Sequence, residues 1–274
     1  MQWDKVKNVL IVILLAVNLF LMGNLGVKLW QNWQREDGLE ASLRTLAAGY
    51  GLTLDDAFDL PEDKVLPELS IDRSRTSEEA LAAAMLGEGM ERTEREDGAV
   101  VFESEAGTVE WSADGRVKAS LTAGGDTPAD EAAALQQARR LFADWGFTAE
   151  DASLAADGMA VTLRGTVAGL PVFNRALTLR FDGDGLVSLS GLWSFGTPYT
   201  TVRSSGVSCN AADALLEFYA KQPEADAILS MEAGYRMQTD SSRRLQLTPT
   251  WKIVTDSGEY LVDCDKKTIV DEEN

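Results

Sequence analysis

The chain has 274 residues, with 25 Lys and Arg against 44 Asp and Glu, no histidine, two cysteines and a formal net charge of −19. Such a charge repels nucleic acid and anionic lipid headgroups, and the missing histidine removes Ser-His-Asp, Cys-His and His-ligated zinc or iron chemistry. The length suffices for a membrane segment followed by one large or two small domains with their own cores.

Asn8 to Val27 runs without a charged side chain, between Lys5 and Lys7 on one side and Lys28 on the other. As a helix it spans ~30 Å, the thickness of a bilayer's hydrocarbon core. Trp3 before the run, and Trp30 and Trp33 after it, stand where indoles favour the two membrane interfaces. A cleaved signal peptide also opens with lysines and an apolar run, but this run exceeds a typical h-region and no convincing Ala-x-Ala site follows it. The expectation is a retained single transmembrane helix over 8–27, anchoring the protein in the cell membrane. Lys5 and Lys7 then place residues 1–7 as a cytoplasmic tail and the rest of the chain outside the cytoplasm. Asn18 falls at the middle of the run, where an amide does better bonded to a second helix than facing lipid. Asn18, Leu14, Leu21 and Leu25 are the expected contacts with a partner helix.

Residues 28–38 read as a polar juxtamembrane linker ending in the breaker Asp37-Gly38. Leu39, Leu43, Leu46, Ala47 and Tyr50 repeat at spacings of three and four, which predicts a short amphipathic helix stopped by Gly51. A second helix is expected from an N-cap at Ser77, with Ala80, Leu81, Ala84 and Met85 on one face. The acidic stretch between them carries Pro61 and Pro67 and reads as a loop. Strands follow at Ala99–Glu103, Gly107–Trp111 and Arg116–Leu121. Together these elements predict a small N-terminal α+β domain over 39–125, closed by the Ala123-Gly124-Gly125-Asp126 breaker.

The second expected domain covers 126–274. Its first helix is predicted to be capped at Thr127, with Pro128 in the first turn and a buried stripe of Leu135, Ala138, Leu141, Phe142 and Trp145. Alternation predicts strands around Met159–Leu163, Leu177–Phe181 and Val187–Trp193, then a helix from about Asn210 to Lys221, then strands around Ile228–Met237, Leu245–Val254, Tyr260–Asp263 and Thr268–Val270. Phe142, Trp145 and Trp251 are the expected aromatic core. The fold class predicted is thus α+β: the membrane helix followed by two small extracytoplasmic domains, each with helices on an antiparallel sheet.

Cys209 and Cys264 lie 55 residues apart. Outside the cytoplasm a disulfide between them would persist; two buried free thiols are the other reading, and the preferred one. Asp182-Gly183-Asp184-Gly185 superficially resembles a calcium loop, but with Asp182 first the fifth position is Leu186 and the twelfth Trp193, neither an oxygen ligand. No phosphate loop is present, and nothing in the sequence selects two of the many carboxylates as a catalytic pair. No cofactor or metal is expected, and the protein is read as a non-enzyme.

The opening "MQWDKVKNVLIVILLAVNLFLM" resembles the start of YycI-type membrane proteins, in which a Trp-plus-lysine tail leads into an Asn-bearing anchor. The resemblance continues in "GLPVFN" at Gly169 to Asn174, in "GLVSLSGLWSF", in "ADALLEF" and in "TPTWKIVTDSGEYLVD", the last also similar to the closing strands of PepSY-like modules. It covers the anchor and residues ~127–270 and is weak over ~39–125. It implies cystatin-like or PepSY-like layers outside the membrane and a regulator of the YycG (WalK) sensor histidine kinase of cell-wall metabolism, acting with a YycH-like protein. No catalytic residues come with it. The alternative function is an anchored PepSY-like ectodomain that binds or inhibits a protease.

If the Asn18 amide bonds a partner helix, Asn18→Leu leaves insertion and expression intact, because Leu suits the bilayer at least as well. Association with the kinase, followed by energy transfer in membranes, should then weaken by about 0.6–2 kcal/mol, roughly three- to thirtyfold. Equal association of wild type and Asn18→Leu would remove the central amide as a contact.

Overall fold

The computed structural model describes residues 38–122, 127–148, 152–182, 186–200, 206–221, 224–239 and 244–270. Helix α1 (38–49) packs Leu43 and Ala47 inward and ends at Gly51, whose positive φ of 81° suits a residue without a Cβ. Three short strands follow, β1 (Thr53–Leu54), β2 (Lys64–Pro67) and β3 (Leu69–Ile71), in the stretch expected to be a loop. Period-2 alternation cannot announce strands of two to four residues. Helix α2 (Arg75–Leu86) is capped by Ser74, whose side chain accepts from the Ser77 backbone N–H. Ser77, the expected cap, is therefore already inside the helix. Its neighbour Glu78 is buried and paired with both Arg73 and Arg75.

Strands β4 (Glu91–Glu94), β5 (Val100–Ser104), β6 (Gly107–Trp111) and β7 (Arg116–Thr122) form a meander. Helix α3 (Glu131–Asp144) is capped by Asp130, three residues beyond the expected Thr127, because the Asp130 carboxylate reaches the Ala133 N–H. After it come β8 (Ala152–Asp157), β9 (Ala160–Val167), β10 (Leu170–Phe181) and β11 (Leu186–Leu192). The chain closes with β12 (Gly206–Cys209), α4 (Ala211–Ala220) capped by Asn210, β13 (Ala227–Thr239), β14 (Leu245–Thr255), β15 (Glu259–Asp263) and β16 (Thr268–Val270).

Over the described residues the expected α+β fold, two small helix-on-antiparallel-sheet domains, is overturned. β-Structure dominates, and fourteen strands from both halves of the chain join one mixed sheet in the order β16-β15-β14-β13-β10-β11-β7-β6-β5-β4, with β1, β3, β8 and β9 paired alongside. No helix among the described residues is long and apolar enough to cross a membrane. The expected span 8–27 with Asn18, Leu14, Leu21 and Leu25, and the interfacial Trp3, Lys5, Lys7, Trp30 and Trp33, lie outside the described residues.

Two hydrophobic cores divide the sheet into lobes. The first lobe gathers α1, α4, β1–β3 and β12–β16, with Leu43, Phe58, Phe218, Tyr219, Trp251 and Val262 buried together. The second gathers α2, α3 and β4–β11 around Phe102, Trp111, Phe142, Leu177 and Trp193. The described chain therefore starts in the first lobe at residue 38, builds the second lobe, and returns. The expected boundary at 125/126 falls inside the second lobe, between β7 and α3, while α1 belongs with the C-terminal strands: β1 lies parallel to β13 with Thr53 opposite Ala227. Pairing across such sequence distances leaves no periodic trace.

Cys209 and Cys264 are joined as a disulfide with Cα atoms 5.1 Å apart, where free thiols were preferred. The bond ties the start of α4 to the turn after β15 and closes a large loop of the unfolded chain, worth ~3–4 kcal/mol on the chain-entropy account. Tyr219 stacks on Tyr50 with centroids 6.0 Å apart, and burial pushes its hydroxyl pKa up to about 12.

Trp251 sits opposite Ala233 and Val262 in the sheet and is 1% exposed. Trp251→Ala should lower stability by about 3–5 kcal/mol, read from chemical denaturation of residues 38–274. An unchanged midpoint would contradict this core assignment.

Candidate functional site

The two lobes meet along one strand. The first part of β10 lies parallel to β13 of the first lobe, with Val172 opposite Tyr235, and its second part pairs antiparallel with β11, from Ala176 opposite Leu192 to Phe181 opposite Val187. Between these halves the pairing with β9 shifts register, from Pro171 to Ala176. Such a bulge bends the strand and re-aims its side chains.

Three residues hold the crossing. Asn174 stands where the parallel ladder ends and continues it with its side chain: the amide Nδ2 donates to the Met237 carbonyl and Oδ1 accepts from the Met237 N–H, both at 2.7 Å. Gly234 lets the strands close, since a Cβ there would sit 2.5 Å from the Pro171 carbonyl oxygen and 2.7 Å from the Phe173 ring. Arg175 turns the other way, buried, with its guanidinium 4.3 Å over the Trp193 ring and Nη2 donating to the Ser194 carbonyl at 3.0 Å. Cation–π contact and a carbonyl acceptor both favour Arg over Lys there.

Beside the joint opens a cleft of about 1000 Å³. One wall is the outward face of β7, β11 and β10, including Arg116, Lys118, Ser190 and Thr178; the other is the end of β13 with Arg236 and Gln238, the β15–β16 turn, and β16. Strand period explains the first wall: Val117, Ala119 and Leu121 point into the second core, so Arg116, Lys118 and Ser120 must point away from it. The buried Asp263 shapes the opposite turn, its Oδ1 accepting from the Asp265 and Lys266 N–H groups at 2.9 Å each. Gln238 is held by a 2.6 Å hydrogen bond from Nε2 to the Thr248 hydroxyl. A second concavity of about 640 Å³ lies at the far end of the joint, bounded by Ser77, Phe147, Arg175 and Trp193.

The side chains singled out from sequence do not converge on the cleft. Phe142 is buried in the second lobe and meets the half-buried Trp145 edge to face at 5.7 Å. Trp251 and the Cys209–Cys264 bond belong to the first core. The cleft residues Arg116, Lys118, Asn174, Arg236 and Lys266 were not anticipated as a group. The available signal was the outward half of each alternating strand, where Arg, Lys, Ser and Thr recur. Among the described residues no group of three or more Cys, Asp or Glu is placed to hold a metal ion.

No family model and no curated protein matches this sequence. Among solved structures, an uncharacterized protein from Eubacterium rectale ATCC 33656 is similar over 81% of this chain and 91% of its own, at 10% identity and a TM-score of 0.51. Two further similar structures are YycH from Bacillus subtilis, at 13% identity and a TM-score of 0.49 over 81% of this chain and 57% of that one, and the YpeB C-terminal domain of Bacillus megaterium, at 10% and 0.37 over 75% of this chain and 100% of that one. At 10% identity the likeness to the Eubacterium protein is one of fold.

Asn174→Ala removes a donor and an acceptor at once and leaves the Met237 amide and carbonyl unanswered. The expected cost is about 1–3 kcal/mol, with faster hydrogen exchange at Met237. Unchanged exchange there would show that the side chain does not carry the joint.

Proposed function

We infer that the protein is a membrane-held, non-enzymatic regulator whose two-lobed part works outside the cytoplasm on a YycG-type sensor histidine kinase, alongside a YycH-like partner. The observation that carries this reading is where the resembling stretches fall in the fold. "GLPVFN" is the crossing half of β10 with Asn174; "GLVSLSGLWSF" is β11 and the segment that carries Trp193; "ADALLEF" lies in α4. "TPTWKIVTDSGEYLVD" spans the end of β14, the partner of β13, and β15, which pairs with β14 on its other side. The stretches that carry the resemblance therefore fall on the joint, the cleft wall and the frame behind them, which supports a role in lobe geometry rather than in a reaction.

The buried disulfide supports an extracytoplasmic setting, because the cytosol keeps such thiols reduced. The apolar run 8–27 supports attachment to the membrane. A bilobed sheet with an open cleft suits binding, and the bent strand between its lobes suits a response to what binds.

The test is co-purification of the full-length chain with a YycG-type kinase and a YycH-like protein from membranes, together with a reporter of kinase output. Co-purification, and a changed output when the chain is deleted, are expected. Absence of both would overturn the reading. Inhibition of a secreted protease in their place would favour the PepSY-like binding alternative.

A further inference from the structure

In a chain of formal net charge −19, the outward positions of β7, β9, β10 and β11 carry Arg116, Lys118, Arg164 and Arg180 and no carboxylate. The strands of the second lobe bury Val117, Leu163, Leu177 and Leu189 on one side, and their alternate residues form three cross-strand rows on the other. Arg164, Ala176, Leu192 and Arg116 stand opposite one another in the first row. Thr162, Thr178, Ser190 and Lys118 make the second, with the two threonine hydroxyls 3.1 Å apart. Arg180, Ser188, Ser120 and Thr108 make the third. Arg236 and Lys266 face the same space from the opposite wall of the cleft.

Carboxylates border this face on the neighbouring strands, Glu110 opposite Lys118, Glu103 opposite Thr108, and Asp157 opposite Ala160, which in turn stands opposite Arg180. Asp114 pairs with Arg116 at 3.0 Å, Glu110 with Arg95 at 3.1 Å, and Asp263 accepts two backbone amides. Among the described residues Lys118, Arg164, Arg180 and Lys266 enter no ion pair; Lys64, Arg139, Arg140 and Lys221 elsewhere also enter none, whereas Arg44, Arg73, Arg75, Arg92, Arg95, Lys252 and Lys267 do. With acids outnumbering bases across the chain, a cluster of unmatched cations on one exposed face is a departure that an anionic ligand would answer.

We propose that this face, together with the cleft beside it, binds a linear, hydroxyl-bearing phosphate polyanion laid across β9, β10, β11 and β7. Guanidinium groups match phosphate oxygens two at a time. Rows of Ser and Thr hydroxyls, ~4.8 Å apart from strand to strand, both donate to and accept from ligand hydroxyls. Two competing occupants fit less well. An acidic peptide binds through apolar anchors or by adding a strand, and these rows offer only Ala160, Ala176 and Leu192 on strands whose backbones are paired on both sides. A nucleic acid needs stacking platforms, and none of the three rows holds an aromatic ring.

The test uses the full-length chain with a labelled poly(glycerol phosphate) oligomer, read by fluorescence anisotropy at low ionic strength. Inorganic phosphate, poly-glutamate and a single-stranded oligonucleotide serve as competitors. Binding is expected, and it should weaken at least about tenfold in a Lys118→Gln, Arg180→Gln variant. The same charge loss elsewhere, by Arg139→Gln with Arg140→Gln on the exposed side of α3, should leave it unchanged. Both variant pairs keep buried residues intact, so equal melting temperatures are expected. No binding of the polymer, or equal losses in both pairs, would overturn the proposal. So would displacement by inorganic phosphate at equal concentration of phosphate groups, or tighter binding of poly-glutamate or the oligonucleotide. The outcome is independent of kinase association.

Discussion

The structure depends on a single strand serving both lobes. β10 enters beside β13 in the first lobe, bends, and leaves between β9 and β11 in the second. A strand cannot change partners without leaving some backbone groups unanswered, and each such group costs about 1–3 kcal/mol if buried. Asn174 meets that cost with one side chain that supplies both a donor and an acceptor to Met237. Gly234 removes the Cβ that would hold the strands apart. The cleft follows from the same bend, because the outward face of β10 and β11 turns away from the end of β13 and leaves space between them.

Each lobe is stabilised by different means. The second relies on burial of Trp111, Phe142 and Trp193 beneath α2 and α3, with Phe147 packed edge to face on both Phe142 and Trp193. The first must bring residues 38–71 together with 206–270, a pairing with a large loop-closure cost. The Cys209–Cys264 bond lowers part of that cost by constraining the unfolded chain. The cleft lies between the lobes, where the lining side chains are largely polar, and not in either core.

Much of the second half of the fold was legible. Long alternating runs such as Arg116–Thr122 and Leu245–Thr255 declare themselves as strands, and the Asn210 cap marks α4. The architecture was not legible, for physical reasons. Strands β1 to β3 are too short to show a period, and their stability comes from β13, β14 and β12, far away in the chain. Ser77 and Thr127 are good cap residues, but Ser74 and Asp130 are placed to reach the first free amides. The cleft stayed hidden because outward-facing Arg, Lys, Ser and Thr are what any solvated strand carries; only the register shows that they share one face. Asn174 was within a stretch singled out by resemblance, yet nothing in an isolated Asn indicates that it completes a ladder.

If β10 makes the lobes one cooperative body, their stabilities cannot be separated. Differential scanning calorimetry of residues 38–274 tests this directly. The account predicts a single transition whose van't Hoff and calorimetric enthalpies agree. It further predicts that Gly234→Val, which forces β10 and β13 apart, lowers the melting of both lobes or splits the transition in two. Two separate transitions in the wild-type protein would contradict it.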